Sequence, residues 1–283
     1  MTNPYSIRIF LPDGDPDGLR TIEKSNWSGA GIFIPRALMG DARRRPELER
    51  TGVYVLVGPA EESGLPIVYV GEGDPIRPRL EQHSIKKDFW VHCLAFTSKD
   101  NHLNKAHFQH LESRLIEMAK ASKRSVLDNG NSPNRPTLSE ADVADAEGFL
   151  SEMLLCFPLL GLTVFSGSPS APKAARVLRI KAKGIEAMGS ETPEGFLVRS
   201  GSGVAKSEAP SCHTYIRELR AALLKNGVLK PVGDNYVFTQ DYAFNSPSTA
   251  AGVVQGRSAN GRVDWKTEDG RTLKELQEAV AAD

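Results

Sequence analysis

The sequence predicts a mixed α/β (α+β) protein with a small central three-stranded sheet flanked by helices, a β-rich N-terminal extension and a small C-terminal α+β module. Three observations favour this class. Short β-branched runs alternate with turn-forming segments, apolar residues recur at helical spacing, and a Ser/Pro-rich stretch precedes a separate pattern of strands and helices. The predicted units are the extension (1–50), the central domain (51–165), a linker (166–194) and the C-terminal module (195–283).

The N-terminal extension carries two strand patterns. Residues 5–11 alternate between two faces and end at a Pro-Asp-Gly-Asp turn. Ile32, Phe33 and Ile34 form a second short strand, and the polar run 41–50 closes the extension.

A hairpin opens the central domain. Residues 53–57 and 67–70 are apolar and rich in β-branched side chains, and the turn-rich segment 59–66 separates them. Gly, Glu and Asp then lead to Pro75, which predicts that the second strand breaks over 71–75 before a helix begins.

The helix predicted over 76–83 presents Arg79 and His83 on one face, because the two residues are four positions apart. A third strand is predicted over 89–96. Arginine stays charged at any working pH, and an unperturbed histidine titrates near pH 6.5, so this face offers a fixed cation beside a group that can transfer protons.

Glu112 lies within a second predicted helix, 104–120, whose apolar stripe contains Phe108, Leu111, Leu115, Met118 and Ala119. The spacing places Glu112 at the margin of this stripe, pointing towards the sheet. An unpaired buried carboxylate is costly, so we expect a partner for it. A metal ion is one candidate, and a structural salt bridge to Arg79 or Arg114 is the other.

Composition limits the function classes. No run approaches the roughly 18 apolar residues of a membrane span, and the N-terminus lacks a signal-peptide pattern, which favours a cytoplasmic protein without a membrane partner. Three widely spaced cysteines with no Cys-x-x-Cys pair predict buried reduced thiols. The 35 basic and 35 acidic residues cancel, so nucleic-acid binding must depend on local patches.

Residues 51–133 resemble the GIY-YIG nucleases, a family that includes homing endonucleases, restriction enzymes and the incision domain of bacterial excision repair. The resemblance rests on Gly52-Val53-Tyr54, Tyr69-Val70-Gly71, Arg79, His83 and Glu112. Valine replaces the isoleucine of the family name in both triplets, which keeps a β-branched core residue. Arg79 follows Gly71 by eight residues and His83 follows it by twelve, as the family pattern has them.

The resemblance implies a metal-dependent DNA endonuclease acting in restriction, phage defence or repair. Its catalytic residues would be Tyr54, Tyr69, Arg79, His83, Glu112 and an asparagine after the second helix, for which Asn131 is favoured and Asn129 is the alternative. Strandedness of the DNA and oligomeric state stay open.

The chemistry assigns a role to each group. Glu112 would hold one divalent cation, Mg²⁺ with Mn²⁺ as an alternative, and Arg79 would contact the scissile phosphate. Tyr54 or Tyr69 would orient or deprotonate the attacking water, although a phenol with a pKa near 10 needs a cationic neighbour for this, and His83 is the competing proton acceptor.

Other polar residues of the central domain suggest weaker sites. Five of the six histidines fall within 83–110, but their spacing forms no compact zinc motif, and His107 and His110 are predicted at the surface. A path for DNA beside the site would use basic residues, with Phe89 and Trp90 nearby: Lys86, Lys87, Lys99, Lys105 and Arg114.

After a predicted helix at 139–153, the C-terminal module shows its own strands and helices. Ser246-Pro247 begins a helix, and Asn260-Gly261 predicts a tight turn before a strand with Val263 and Trp265. Residues 195–276 resemble a small module appended to bacterial nucleases and related to domains attached to DNA-modifying enzymes. That resemblance implies contact with DNA, and a packing module with Trp265 in its core is the alternative.

Two further functions compete with the endonuclease. The first is a nucleic-acid-binding protein that keeps the fold without cleaving, and the retention of Arg79, His83 and Glu112 together disfavours it. The second is an interaction or regulatory protein whose working part is the C-terminal module.

Overall fold

The computed structural model describes residues 4–60, 65–100, 102–130, 135–165, 176–182, 184–193 and 195–282. Within these residues the chain divides into two compact units, the first ending at residue 165 and the second beginning at residue 176. None of the helices in this described part combines the length and hydrophobicity that a membrane span requires. The three cysteines are free and buried, as predicted.

The first unit is built on a seven-stranded sheet with the strand order β1-β2-β3-β6-β4-β5-β7. Neighbouring strands are antiparallel except β5 and β7, which are parallel. The strands are β1 (Ile7–Phe10), β2 (Arg20–Lys24), β3 (Gly29–Pro35), β4 (Gly52–Ala60), β5 (Pro66–Gly73), β6 (His92–Ser98) and β7 (Val126–Leu127).

The sheet is larger than the predicted three-stranded one because the N-terminal extension joins it. β3 pairs with β6 from Gly29 opposite Ser98 to Pro35 opposite His92, so the first three strands continue the central sheet. β5 also runs through Gly73, beyond the break predicted at Gly71, because Glu72 and Gly73 still pair with β4. The third strand of the central domain starts three residues later than predicted, at His92.

Helices cover both faces of this sheet, and their bounds are α1 (Met39–Ala42), α2 (Ile76–Lys86), α3 (Lys105–Ser122) and α4 (Glu140–Cys156). α3 and α4 form one core with Val53, Val55, Val68 and Val70. On the opposite face, Ile76 and Leu80 of α2 form a second core with Tyr54 and Leu56. The alternation of strand side chains therefore sends Val68 and Val70 towards α3, and Tyr54 towards α2.

The second unit contains a four-stranded sheet (β14-β10-β9-β8) and a three-stranded sheet (β11-β13-β12). Its strands are β8 (Leu178–Ala182), β9 (Ile185–Thr192), β10 (Gly195–Val198), β11 (Gly203–Ala205), β12 (Leu229–Val232), β13 (Asn235–Phe238) and β14 (Tyr242–Phe244). Its helices are α5 (Thr214–Lys225), α6 (Pro247–Gln255), α7 (Gly261–Asp264) and α8 (Leu273–Ala282).

Two predictions for the second unit were wrong. β8 and β9 lie inside the segment predicted as a linker, 166–194, so the folded module starts earlier than residue 195. The strand predicted around Val263 is instead the short helix α7, because the Asn260 side chain caps a helical turn by accepting a hydrogen bond from the Arg262 backbone N–H. Trp265 is fully buried beside Phe196, with ring centroids 4.5 Å apart, and its indole N–H donates to the Pro247 carbonyl oxygen.

Candidate active site

The candidate site lies at the carboxyl end of β5, where the edge of the sheet becomes accessible. β7 pairs only with Ile67 and Val68. At Val70 the edge of β5 is bound by the Asn129 side chain instead of by a strand. Its Oδ1 accepts a hydrogen bond from the Val70 N–H at 2.9 Å, and its Nδ2 donates to the Val70 carbonyl oxygen at 2.8 Å. Among the described residues no strand covers that edge beyond Val70, so side chains from both faces of the sheet can meet there.

Tyr54, Tyr69 and His83 form a cluster on the α2 face. The Tyr54 hydroxyl lies 2.9 Å from His83 Nε2, and the ring centroids of Tyr69 and His83 are 4.8 Å apart. Gly71 makes the cluster possible, because a Cβ at this position would lie 2.5 Å from the Tyr54 hydroxyl oxygen. This close approach is the physical reason for glycine in the second triplet.

The protonation states of the cluster follow from burial. Burial raises the pKa of Tyr54 far above its ordinary value, with a further contribution from Tyr69, so the hydroxyl stays protonated at neutral pH. Burial, followed by the charge of Lys87, lowers the pKa of His83 to about 4, so its imidazole is neutral at pH 7. Of the two groups, His83 is the one in the form that can accept a proton. Burial likewise raises the pKa of the less buried Tyr69.

Arg79 extends from the exposed face of α2 past the end of β5. A Cβ at Gly73 would lie 2.8 Å from the Ile76 Cα and 3.3 Å from the Arg79 Cγ, so the glycine is needed chiefly for the close turn into α2 and also leaves room for this side chain. No carboxylate of the described residues lies within 4 Å of Arg79. The guanidinium is therefore available to an anionic ligand.

Glu112 occupies the stripe of α3 that faces the sheet, between the fully buried Phe108 and Ile116. Burial, together with the nearby charge of Glu72, raises its pKa to about 7, and the charge of Arg79 opposes both effects. The structural salt bridge considered for Glu112 is not formed in the described part of the chain, since Arg79 stays beyond 4 Å and Arg114 pairs with Glu147 and Glu117.

Sequence reasoning missed one acidic residue, Glu72. It follows Gly71 at the end of β5, and its Oε2 is buried without a hydrogen-bond partner among the described residues. The available signal was an acidic residue directly after an apolar strand. The glycines on either side of Glu72, together with Pro75, predict a strand break there, and this prediction hides the signal.

Two asparagines follow β7 as candidates for the site. Asn131 lies outside the described residues. Asn129 is within them, and both ends of its amide are engaged by the backbone of Val70. Asn129 therefore extends the edge of β5 and fixes the segment that follows β7.

The histidines of α3 differ from their prediction as surface groups. His107 and His110 are both buried, and they face carboxylates of α4, with His110 Nε2 2.8 Å from Glu147 Oε1. They belong to the contact between α3 and α4. Among the described residues no group of three or more His, Cys, Asp or Glu side chains could hold a metal ion.

The predicted path for DNA is reduced by internal contacts. Lys87 pairs with Asp128, Lys99 with Glu23, and Arg114 with Glu147. Trp90 is fully buried, and its indole N–H donates to the His83 carbonyl oxygen at 3.4 Å. Lys86 on α2 and Lys105 at the start of α3 remain exposed, and neither lies within 4 Å of a carboxylate in the described part of the chain.

The acidic residues fit a hard divalent cation in their chemistry. Mg²⁺ and Mn²⁺ prefer oxygen ligands, and Mg²⁺ is commonly bound through one or two carboxylates together with water and substrate phosphate oxygens. Glu112 is partly buried without an ion pair, and Glu72 has a buried oxygen without a partner. A cation would supply what both carboxylates lack.

Comparison with known proteins matches a large part of the second unit. A family model described as "Domain of unknown function (DUF4357)" matches residues 178–277, which begin at β8 and end in α8. No curated protein matches the chain. No solved structure matches it.

Proposed function

We propose that the first unit is a metal-dependent endonuclease of the GIY-YIG type that hydrolyses phosphodiester bonds of DNA. The observation that carries the proposal is the cluster of Tyr54, Tyr69 and His83, in which both tyrosines lie close enough to Arg79 and Glu112 for those charges to act on their pKa. Arg79 comes from one face of the sheet and Glu112 from the other, and the charge of Arg79 lowers the pKa of Glu112. Among the described residues neither Arg79 nor Glu112 has an ion pair, which a purely structural role does not explain.

In this proposal the chain's own residues divide the work of hydrolysis. The exposed Arg79 guanidinium binds the scissile phosphate and stabilises the charge that builds on its oxygens. The neutral His83 imidazole accepts the Tyr54 proton at Nε2, 2.9 Å from the hydroxyl, as the Tyr54 oxygen takes a proton from the attacking water. Glu112 would hold a divalent cation, which supplies Lewis-acid stabilisation of the phosphate and activation of water.

The exposed side of α2 supports a polyanionic substrate. Arg79, Gln82 and Lys86 recur at spacings of three and four, so they lie along one face of the helix, and all three are exposed. Two cations in line with the site would contact successive phosphates of a nucleic-acid strand. For the second unit we propose an accessory role in contacting DNA, as its resemblance to nuclease-appended modules implies.

The test is cleavage of labelled single-stranded DNA, duplex DNA and RNA with Mg²⁺, with Mn²⁺ and with a chelator. We expect metal-dependent cleavage of DNA by the wild type. Glu112→Gln should lose cleavage and keep DNA affinity within about threefold, because the change removes a metal ligand and leaves the α2 surface intact. Absence of cleavage by the wild type with either metal, or full activity of Glu112→Gln, would contradict the proposal.

A further inference from the structure

Glu72 and Glu112 lie on the same face of the sheet. Val68 and Val70 of β5 belong to the core formed with Leu111 of α3. Because side chains alternate along a strand, Glu72, two residues after Val70, points to that same side. Glu112 lies on the sheet-facing stripe of α3, the helix that covers this side. The charge of Glu72 acts on Glu112, so the two carboxylates are neighbours between β5 and α3.

Among the described residues neither carboxylate has a cationic side chain as a partner. Glu72 Oε2 is buried without a hydrogen bond, and no Lys, Arg or His of the described residues lies within 4 Å of either carboxylate. Withdrawing such oxygens from water is costly unless a donor or a cation replaces it. The charge of Glu72 also acts on Glu112, which makes the pair self-repelling. A bound dication would turn this repulsion into attraction.

We propose that Glu72 is a second protein ligand of the divalent cation, so that Glu72 and Glu112 hold one metal ion between β5 and α3. The inference rests on the proposed function and adds to it. One carboxylate neutralises half the charge of a dication, whereas two neutralise it fully and offer two anchoring points. The cation should therefore bind in the absence of nucleic acid, with Arg79 outside the pair and free for phosphate.

Manganese alone, without nucleic acid, is the probe. The full chain is titrated with Mn²⁺ at pH 7.5, and the free ion is followed by electron paramagnetic resonance. We expect one binding site in the wild type. Glu72→Gln and Glu112→Gln should each weaken it at least about tenfold, the typical effect of losing one group that supports a metal. The double variant should show no site.

Two further variants make the result specific. Glu81→Gln is the matched control, because Glu81 lies on α2 and pairs with the exposed Arg43, so its Mn²⁺ affinity should equal that of the wild type. Glu72→Asp keeps the charge on a shorter side chain and should bind more weakly than wild type but more tightly than Glu72→Gln. Thermal unfolding without metal should show that each variant remains folded.

The outcomes separate this inference from the proposed function. Wild-type affinity in Glu72→Gln, with affinity lost in Glu112→Gln, would overturn the role of Glu72 and leave the nuclease proposal standing. Failure of the wild type to bind Mn²⁺ without nucleic acid would also overturn the inference, and the cleavage assay would then judge the nuclease proposal by itself. Equal weakening of Mn²⁺ binding by Glu72→Gln and Glu112→Gln would support the role of Glu72 as a second metal ligand.

Discussion

Small residues determine the geometry of the candidate site. Gly71 leaves room for the Tyr54 hydroxyl beside β5, and Gly73 lets the chain turn closely from β5 into α2, the helix that carries Arg79 and His83. An alanine at position 71 would place a methyl group 2.5 Å from the Tyr54 oxygen and force the ring away from His83. The tyrosine, the histidine and the arginine therefore depend on these glycines for their positions.

His83 should titrate far below an ordinary histidine. Because its pKa is lowered to about 4 in the folded chain, the imidazole should stay neutral across pH 5–8, and loss of activity from its protonation should begin only near pH 4. The unfolded chain binds this proton near pH 6.5, so the contribution of His83 to folding stability is present above pH 6.5 and is lost as pH falls towards 4. NMR titration of the imidazole nitrogens measures the pKa directly.

Lys87→Met provides the matched variant, because Lys87 is the largest charged contributor to the lowered pKa of His83. The variant should titrate at a higher pH than the wild type. A wild-type midpoint at or above 6.5 would remove His83 as the neutral proton acceptor.

At the scale of elements, the candidate site depends on side chains of α2 and α3, which reach the end of β5 from opposite faces of the sheet. The hairpin of β4 and β5 is predicted by its β-branched runs, α2 by the turn and proline that precede it, and α3 by the helical spacing of its apolar residues. The pairing of β3 with β6 was not predictable, since alternation in a short strand does not reveal its partner. Glu72 was missed for a related reason: continued pairing with β4 overrides the local preference of Gly71 and Gly73 for a turn.

The buried histidines on α3 show a similar limit of sequence reasoning. His110 is polar, and its burial depends on Glu147, which comes 37 residues later. Glu147 also accepts from Arg114 Nε at 2.6 Å, and these bonds hold its pKa below the usual range despite partial burial. No local pattern could show that this later helix supplies the partner.

Glu147→Ala should destabilise the first unit by about 1–3 kcal/mol, because it leaves the buried His110 without its acceptor. Urea unfolding measures the change. Asp145→Ala is the matched control, because it removes the carboxylate that pairs with the exposed His102. It should lower the free energy of unfolding by less than about 0.5 kcal/mol. Equal losses in the two variants would mean that burial of His110 contributes nothing.

At the scale of the whole molecule, the candidate site and the matched domain of unknown function lie in different units. All of the candidate catalytic residues within the described part lie in the first unit, and the family match lies in the second. Equal numbers of acidic and basic residues give the chain no net charge, so the proposed binding of DNA would depend on local surfaces such as α2.

A chain ending at residue 166 should fold and retain weak metal-dependent cleavage, because the first unit has its own two cores. Circular dichroism would establish folding, and the same fragment with Glu112→Gln would exclude a contaminating nuclease. A folded fragment without any cleavage, beside an active full chain, would show that the second unit supplies part of the site.

The most direct measurement is single-turnover cleavage of DNA with Mg²⁺ by the wild type, Arg79→Ala and Arg77→Ala. Arg77 is the matched control, since it lies two residues away on α2 and pairs with Glu49. We predict that Arg79→Ala is slower by about a hundredfold or more, as expected for loss of one group that stabilises transition-state charge, and that Arg77→Ala stays within about threefold of the wild type. Equal rates for the two variants, or no metal-dependent product from the wild type, would contradict a phosphodiesterase site at the end of β5.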